Sequence, residues 1–586
     1  MRQHVAFILV LLLLAATFLA TGAGPALADY DESLQAMAAR EMLARRDWVI
    51  PHVNGIPGAG HAPLLSWLTA ACMLIFGADP LAVRLPVMLA SIALLWLIWL
   101  SGRRAYSAQV GLYAAMILSS CAGTFVFTRG LSQGPVLALW LALASYCFWR
   151  GFFGAGHEKK FHYGFYAALA LAALTAGLTG VLLIVAPLFF FLLLTGNVRQ
   201  VRHMRPLTGA LLFLALAAPW HILAYLRNPG FAGTYLSGGQ LRDLSQTPPD
   251  SGPRLPFWLY WLLPAVWLFP WSVGLPLGFP HEISPFWRQM DRRAMSNLYL
   301  WLQALFILLW CSLPASRAGG AFPAYGALAL LIAAGMQSAE ERALGRRLLL
   351  FAHGALALIG AVAALALLTL LWQTRNRAAA GIISSVPDAG PGDPAGQAGT
   401  LLSFPDLSPE ALMTLRGPAL CAAVAIGLGF AIAFWFRWRG AHTQASAALT
   451  LTMLVLFLCA GRAHIALEPL FSSRRFAEAI LNRQDTNARI VLDHSLDAGA
   501  SIAWYTGRQV MLYDARRGSM RFSAQLAPAA AVFIDDAASL RRLWNGPQRV
   551  FLFLGNERRD KLKRDLNAPV YTLEEKAGKT VLMNKP

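Results

Sequence analysis

Long apolar runs, each of membrane-spanning length, recur along most of the 586-residue chain and constrain its fold more than any other feature. A helix needs roughly 20 apolar residues to cross a bilayer core, where its backbone groups must find partners within the segment. Basic clusters alternate with these runs: Arg103–Arg104, Arg150 with Lys159–Lys160, then Arg199, Arg202 and Arg205. Arg288, Arg292 and Arg293 follow, then Arg342, Arg346 and Arg347, and last Arg437 with Arg439. With every cluster and Arg2 on the cytoplasmic side, about thirteen spans fit without a conflict of parity. The loops near 25–81, 226–256 and 373–416 then face outward, as does everything after about residue 466.

Composition agrees. Charged residues make up 13% of the chain and hydrophobic ones 57%, whereas soluble domains average roughly 25% charged. The formal charge of +19 does not point to nucleic acid, because the basic residues close apolar segments and form no patch of their own. The cysteines Cys72, Cys121, Cys147, Cys311, Cys421 and Cys459 all lie in apolar stretches without a CxxC spacing, and read as small buried hydrophobes. Residues Phe7 to Leu19, after Arg2, fit a signal peptide with Ala26-Leu27-Ala28 as a cleavage site; the many spans that follow favour an uncleaved first span.

Residues 1–465 therefore read as a membrane domain whose first outer loop, 25–81, is too long for a turn. Within it Leu34, Met37, Ala38 and Met42 recur at helical spacing, predicting an amphipathic surface helix, with a second one from Pro63 to Phe76. Residues 466–586 change character. Strand-like runs at Arg489–Leu492, Ser501–Tyr505, Val510–Tyr513, Ala531–Ile534, Val550–Leu554 and Val581–Met583 alternate with helical patterns at Arg474–Ile480, Ser539–Trp544 and Arg558–Leu566. This predicts a small extracytoplasmic α/β domain. It has no phosphate-cradling glycine motif, nucleophile elbow or metal-ligand spacing, so its expected task is to cap or orient the membrane part.

In a chain poor in carboxylates, Asp29, Asp31 and Glu32 cluster directly after the first span. Such a pair can take a proton from an acceptor hydroxyl or hold a divalent cation against a phosphate. It can equally fill the first turn of the surface helix, where the dipole favours negative charge. His61, His221, His281 and His464 lie near span ends, and the tryptophans near predicted interfaces suit an aromatic belt.

The order of motifs resembles that of the bacterial family 39-type glycosyltransferases, which include the aminoarabinose transferases and relatives of the protein O-mannosyltransferases. The likeness runs through DESLQAMAAREMLARRDWVIPHVNG at 31–55, HAPLLSWL at 61–68, TRGLSQGPVLALWLALA at 128–144 and PWHILAYLRNPGF at 219–231. It ends with YTGRQVMLYDA at 505–515 and VYTLEEKAGKTVLMNKP at 570–586. The resemblance implies a GT-C-type fold of about thirteen spans with a small C-terminal α/β domain. It implies a multi-pass enzyme of the bacterial inner membrane, its C-terminal domain periplasmic. Such an enzyme moves a sugar, with inversion, from a polyprenyl-phosphate carrier to a lipid, glycan or protein acceptor. It places the catalytic carboxylate at Asp31, with Glu32 as its support or as a ligand for a divalent cation.

Several positions depart from the family pattern. His61-Ala62-Pro63 stands for Glu-Lys-Pro, Gly134 for an Asp before proline, Thr175-Ala176-Gly177-Leu178 for Thr-Lys-Gly-Pro, Gly239-Gln240 for Glu-His, and Leu34 for an Arg. Ser316-Arg317 replaces Ser-Lys. His61, Arg129, Arg242 and Arg317, all expected on the outer side, are the residues left to contact phosphate or sugar. The rival is a relative that keeps the fold, binds lipid carrier or a partner enzyme as a scaffold, and transfers nothing. A transporter is disfavoured because no ionisable residue lies mid-span.

Overall fold

The computed structural model describes residues 2–58, 62–153, 159–227, 257–278, 290–312, 318–379, 409–483, 485, 487–516 and 531–586. Among these, ten helices are long and apolar enough to cross a membrane, or twelve if each of two bent pairs is one span. One of the ten, α8 (Lys159–Leu194), is broken at Ala176 (φ −132°) and Gly177 (φ 61°, ψ −139°). A Cβ on Gly180 would meet the Ala172 carbonyl oxygen at 2.3 Å. Straight helix would hold these positions about 12 Å apart, so the chain doubles back here. The helix is a hairpin of two apolar arms, so that the described residues hold thirteen apolar segments of about crossing length if each bent pair counts as one. The family's Thr-Lys-Gly-Pro motif thus falls on a bend that needs a residue able to take positive φ, and Gly177 keeps that ability.

The bundle is inside out relative to a soluble protein. Leu207 and Phe351 are fully exposed on lipid-facing flanks, while alanines, glycines and hydroxyls fill the contacts between helices. The first helix, α1 (Arg2–Gly22), joins the core through Phe7, Val10, Leu14 and Phe18, with the Phe7 ring stacked on Trp99 at 4.2 Å. At the end of the bundle that carries the basic clusters, helix ends are tied by polar contacts. Tyr106 donates to Asn297 (2.5 Å), Tyr113 to Glu340 (3.1 Å), and Arg437 pairs with Glu340 (2.6 Å).

At the outer end the predicted surface helix is α2 (Asp31–Arg45). It does not simply lie on the membrane. Met37, Ala39 and Ala36 are buried in one apolar cluster with Phe476, Leu492 and Trp504, so the C-terminal domain roofs it over. Arg40 donates to the Trp504 and Ala503 carbonyls at 2.6 and 3.2 Å. A short hairpin, β1 (His52–Val53) and β2 (Ile56–Pro57), turns at Asn54-Gly55 with both φ positive, the preferred pair for a tight hairpin. Asn54 docks it by accepting from the Val510 amide and donating to its carbonyl. The second outer helix, α3 (Leu64–Phe76), leaves Leu74, Ile75 and Phe76 bare at its end, as an interfacial helix does.

The C-terminal sheet has the order β5-β4-β3-β6-β8-β7. Strands β3 (Arg489–Asp493), β4 (Met511–Tyr513), β5 (Phe533–Ile534) and β6 (Val550–Gly555) are parallel, while β7 (Tyr571–Lys576) and β8 (Lys579–Met583) close it antiparallel. One expected strand is corrected: Ser501–Tyr505 lies in a helix, Ala500–Thr506. A short apolar run carries no period that separates the two states, and here a carboxylate from the distant Asp29 accepts the Ser501 amide in the first turn (3.0 Å).

Candidate functional site

The segment between α1 and α2 is held from both sides. From below, Arg84 on α4 (Pro80–Ala105) donates to the carbonyls of Gly22 and Pro25 at 2.8 Å and of Ala26 at 2.9 Å. The same guanidinium grips Glu32 in a fork, Nε to Oε1 at 2.7 Å and Nη2 to Oε2 at 2.9 Å. Backbone amides complete the carboxylate: Ala28 donates to Oε2 at 2.8 Å and Leu131 to Oε1 at 3.1 Å. These bonds occupy the in-plane acceptor positions of both oxygens. Burial pushes the Glu32 carboxyl up, but the Arg84 charge and these donors outweigh it and hold it below the ordinary range.

From above, the C-terminal domain holds Asp29. Its Oδ1 accepts from the Ser501 amide (3.0 Å) and hydroxyl (2.6 Å), and its Oδ2 from Ser473 Oγ (2.6 Å) and Lys579 Nζ (2.9 Å). The amides of Asp29 and Tyr30 donate to the Phe471 and Asp497 carbonyls, both at 2.8 Å. Between the two anchors Tyr30 has φ 65° and ψ −132°. That conformation costs a residue with a Cβ about 1–3 kcal/mol and persists only where the surroundings dictate it. The next residue, Asp31, opens α2, so the strain sits directly before the carboxylate the sequence singles out.

Arg129 completes the described site. It follows α6 (Ala122–Thr128), one arm of a bent span, and the chain beyond it lies against Glu32, whose Oε1 is 3.5 Å from where a Cβ on Gly130 would be. Its guanidinium stacks over Phe125 (5.0 Å) and meets His464 Nδ1 at 3.2 Å. Among the described residues no carboxylate pairs with it. Burial first, and then the Arg84 charge, push its pKa down to about 10, with Glu32 opposing. The His464 ring stacks on Phe471 (5.0 Å), which ties this corner to the segment that receives the Asp29 amide.

Of the sequence candidates, the structure therefore brings together Glu32, Arg129 and the backbone of Asp31. His61, Arg242 and Arg317 lie outside the described residues, as does the Asp31 side chain. Arg84 and the partners of Asp29 carry no role in the sequence reading, where Asp29 figures only in the carboxylate cluster and His464 only as a span-end histidine. Arg84 had a visible sign, a charge inside the apolar run PLAVRLPVML. The partners of Asp29 had none, since Lys579 is 550 residues away.

Comparison with known proteins gives the same picture. A family model described as dolichyl-phosphate-mannose-protein mannosyltransferase matches residues 60–223. An undecaprenyl phosphate-alpha-4-amino-4-deoxy-L-arabinose arabinosyl transferase of Yersinia enterocolitica is 27% identical over 361 residues, 58% of this chain and 60% of that protein. Its counterpart in Serratia proteamaculans is 26% identical over 52% of this chain and 54% of its own length. The chain thus spans a little more than half the length of the curated relatives it matches. In fold, the crystal structure of ArnT from Cupriavidus metallidurans bound to undecaprenyl phosphate superposes with a TM-score of 0.81 at 19% identity, covering 99% of this chain and 98% of that one. In sequence over about half its length this chain is similar to aminoarabinose transferases, and in fold over nearly all of it to ArnT.

Proposed function

We propose that the protein is an inverting membrane glycosyltransferase that moves a sugar from a polyprenyl-phosphate carrier to a lipid, glycan or protein acceptor. The reaction would take place at the periplasmic face of the bacterial inner membrane, with residues 1–465 as transferase domain and 466–586 as periplasmic domain. One observation carries the reading: a half-buried guanidinium, Arg129, without a carboxylate partner among the described residues, stands beside the loop that ends in Asp31. A cation left uncompensated at the outer level of a bundle suits an anionic lipid headgroup.

Arg129 binds the carrier phosphate and stabilises the charge that builds there as the bond from phosphate oxygen to anomeric carbon breaks. Asp31 accepts the proton of the acceptor hydroxyl as that oxygen forms the new bond on the opposite face. Glu32 positions: with its acceptor sites filled by Arg84, Ala28 and Leu131, it fixes the first turn of α2. Among the described residues no group of three His, Cys, Asp or Glu could hold a metal ion. His61, Arg242 and Arg317 remain further phosphate or sugar contacts in this proposal.

The test compares glycolipids and glycoproteins by mass spectrometry in a deletion strain and in strains complemented with wild type or Asp31→Asn. A sugar mass should vanish in the deletion and return with wild type only. In purified enzyme, Asp31→Asn should lower turnover by about 10²–10⁴, the usual share of a general base. Unchanged glycans in every strain would establish the scaffold instead.

A further inference from the structure

We propose that the C-terminal α/β domain is a working part of the transfer centre: through Lys579, Ser473 and Ser501 it clamps Asp29 and so sets the backbone that presents Asp31. This rests on the reading of Asp31 as the base. Lys579, Ser473 and Ser501 are then positioning residues of a reaction that none of them touches.

The clamp is assembled from three separate elements of the domain. Ser473 precedes the helix Arg474–Asn482, Ser501 lies in Ala500–Thr506, and Lys579 opens β8. Only the finished sheet brings their donors to one point. There they meet a carboxylate whose side chain is 1% exposed. Lys579 is itself largely buried and also donates to Ser473 Oγ (3.1 Å), so the four groups form one closed network. A buried charge pair of this kind is poor evidence for stability but well suited to fixing a unique arrangement.

What the network fixes is the strained residue. Tyr30 keeps its positive φ because its own amide and that of Asp29, the two that lead into its Cα, are bound to C-terminal carbonyls, while Glu32 is held on the other side by Arg84. The membrane bundle holds only the flanks, through Arg84 at residues 22–26 and at Glu32. Release of the upper anchor would let Tyr30 relax to an ordinary conformation and swing the start of α2. The phosphate contact would stay in place, since Arg129 belongs to the bundle. The domain therefore governs the chemical step and not the binding of donor.

The experiment uses the full chain in lipid vesicles with a polyprenyl-phosphate sugar, and compares wild type with Lys579→Met, Ser501→Ala and Lys579→Arg. Turnover and donor KM are measured beside hydrogen exchange of the amides at 27–34. Lys579→Met and Ser501→Ala should lower kcat at least tenfold with donor KM within twofold, and speed exchange at 27–34 at least tenfold. Lys579→Arg, which keeps the charge, should recover part of both. Exchange that does not change overturns the clamp. Faster exchange with normal kcat, or a loss carried wholly by KM, overturns its role in the reaction. If the wild type transfers no sugar, the transferase reading falls and the positioning role falls with it, while the clamp is still decided by the exchange rates.

Discussion

Two buried arginine–glutamate pairs stand at opposite ends of the helix bundle, and they do different work with the same chemistry. At the end that carries the basic clusters Arg437 meets Glu340 at 2.6 Å, and both are almost wholly buried. Glu340 also accepts from Tyr113, and Arg437 lies 3.1 Å from His442 Nδ1 and 3.5 Å from His353 Nε2. These partners sit on regular helices, and the pair ties helix to helix. At the outer end Arg84 and Glu32 are as close, 2.7 Å, but the guanidinium spends its remaining donors on carbonyls of a loop. That loop carries a left-handed Tyr30, and beside it Arg129 is left uncompensated by any described carboxylate. A buried ion pair is thus no sign of function. Function shows in what is left over around it, strain and unspent charge.

The comparison can be broken by removing each arginine. Arg84→Met and Arg437→Met should both cost about 3–5 kcal/mol, because each strands a buried carboxylate. Thermal denaturation in detergent measures this. Only Arg84→Met should also abolish transfer in the fraction that remains folded. Equal specific activity in the two variants would show that the outer pair, too, merely packs helices.

A smaller effect is expected at Arg129. Arg129→Ala should raise donor KM by about 10–100-fold, the loss of one charge-assisted contact of roughly 1.5–3 kcal/mol, and leave the melting temperature unchanged or higher. Arg129→Lys should recover part of the loss, since it keeps the charge and loses the fork. A donor KM that does not move would place the phosphate elsewhere in the outer loops.

The smallest effect is on acid stability. The Glu32 carboxyl is held below its ordinary value, so its contribution is complete above about pH 4.5 and is lost as pH falls through the lower folded-state value. Glu32→Gln should therefore lower the melting temperature at pH 7 and converge with wild type on acidification. A gap between them that stays constant down to pH 3 would mean that the charge of Glu32 contributes nothing.

The membrane part was legible from its chemistry. Thirteen spans follow from apolar length and from where arginines fall, because hydrocarbon admits few other solutions. The hairpin within α8 was implied by parity and then found at Gly177. The C-terminal sheet was visible in its short apolar runs, apart from the strand read at Ser501–Tyr505 and the unread β7. Asp31 and Glu32 stood out as carboxylates in a chain that has few, and the family likeness chose between them.

The sequence by itself determined which segments are long and apolar enough to cross a membrane and that an α/β domain follows them, and it pointed to the loop after the first span. Only the tertiary structure decided that Glu32 is bound by Arg84, that Asp29 is bound by Lys579, and that Arg129 forms no ion pair with a carboxylate among the described residues. The reason is physical. Span length and loop charge are set by the solvent each segment meets, and so are written locally. An ion pair is set by a distance across the fold, between residues 52 apart in one case and 550 in the other, and no local pattern records it.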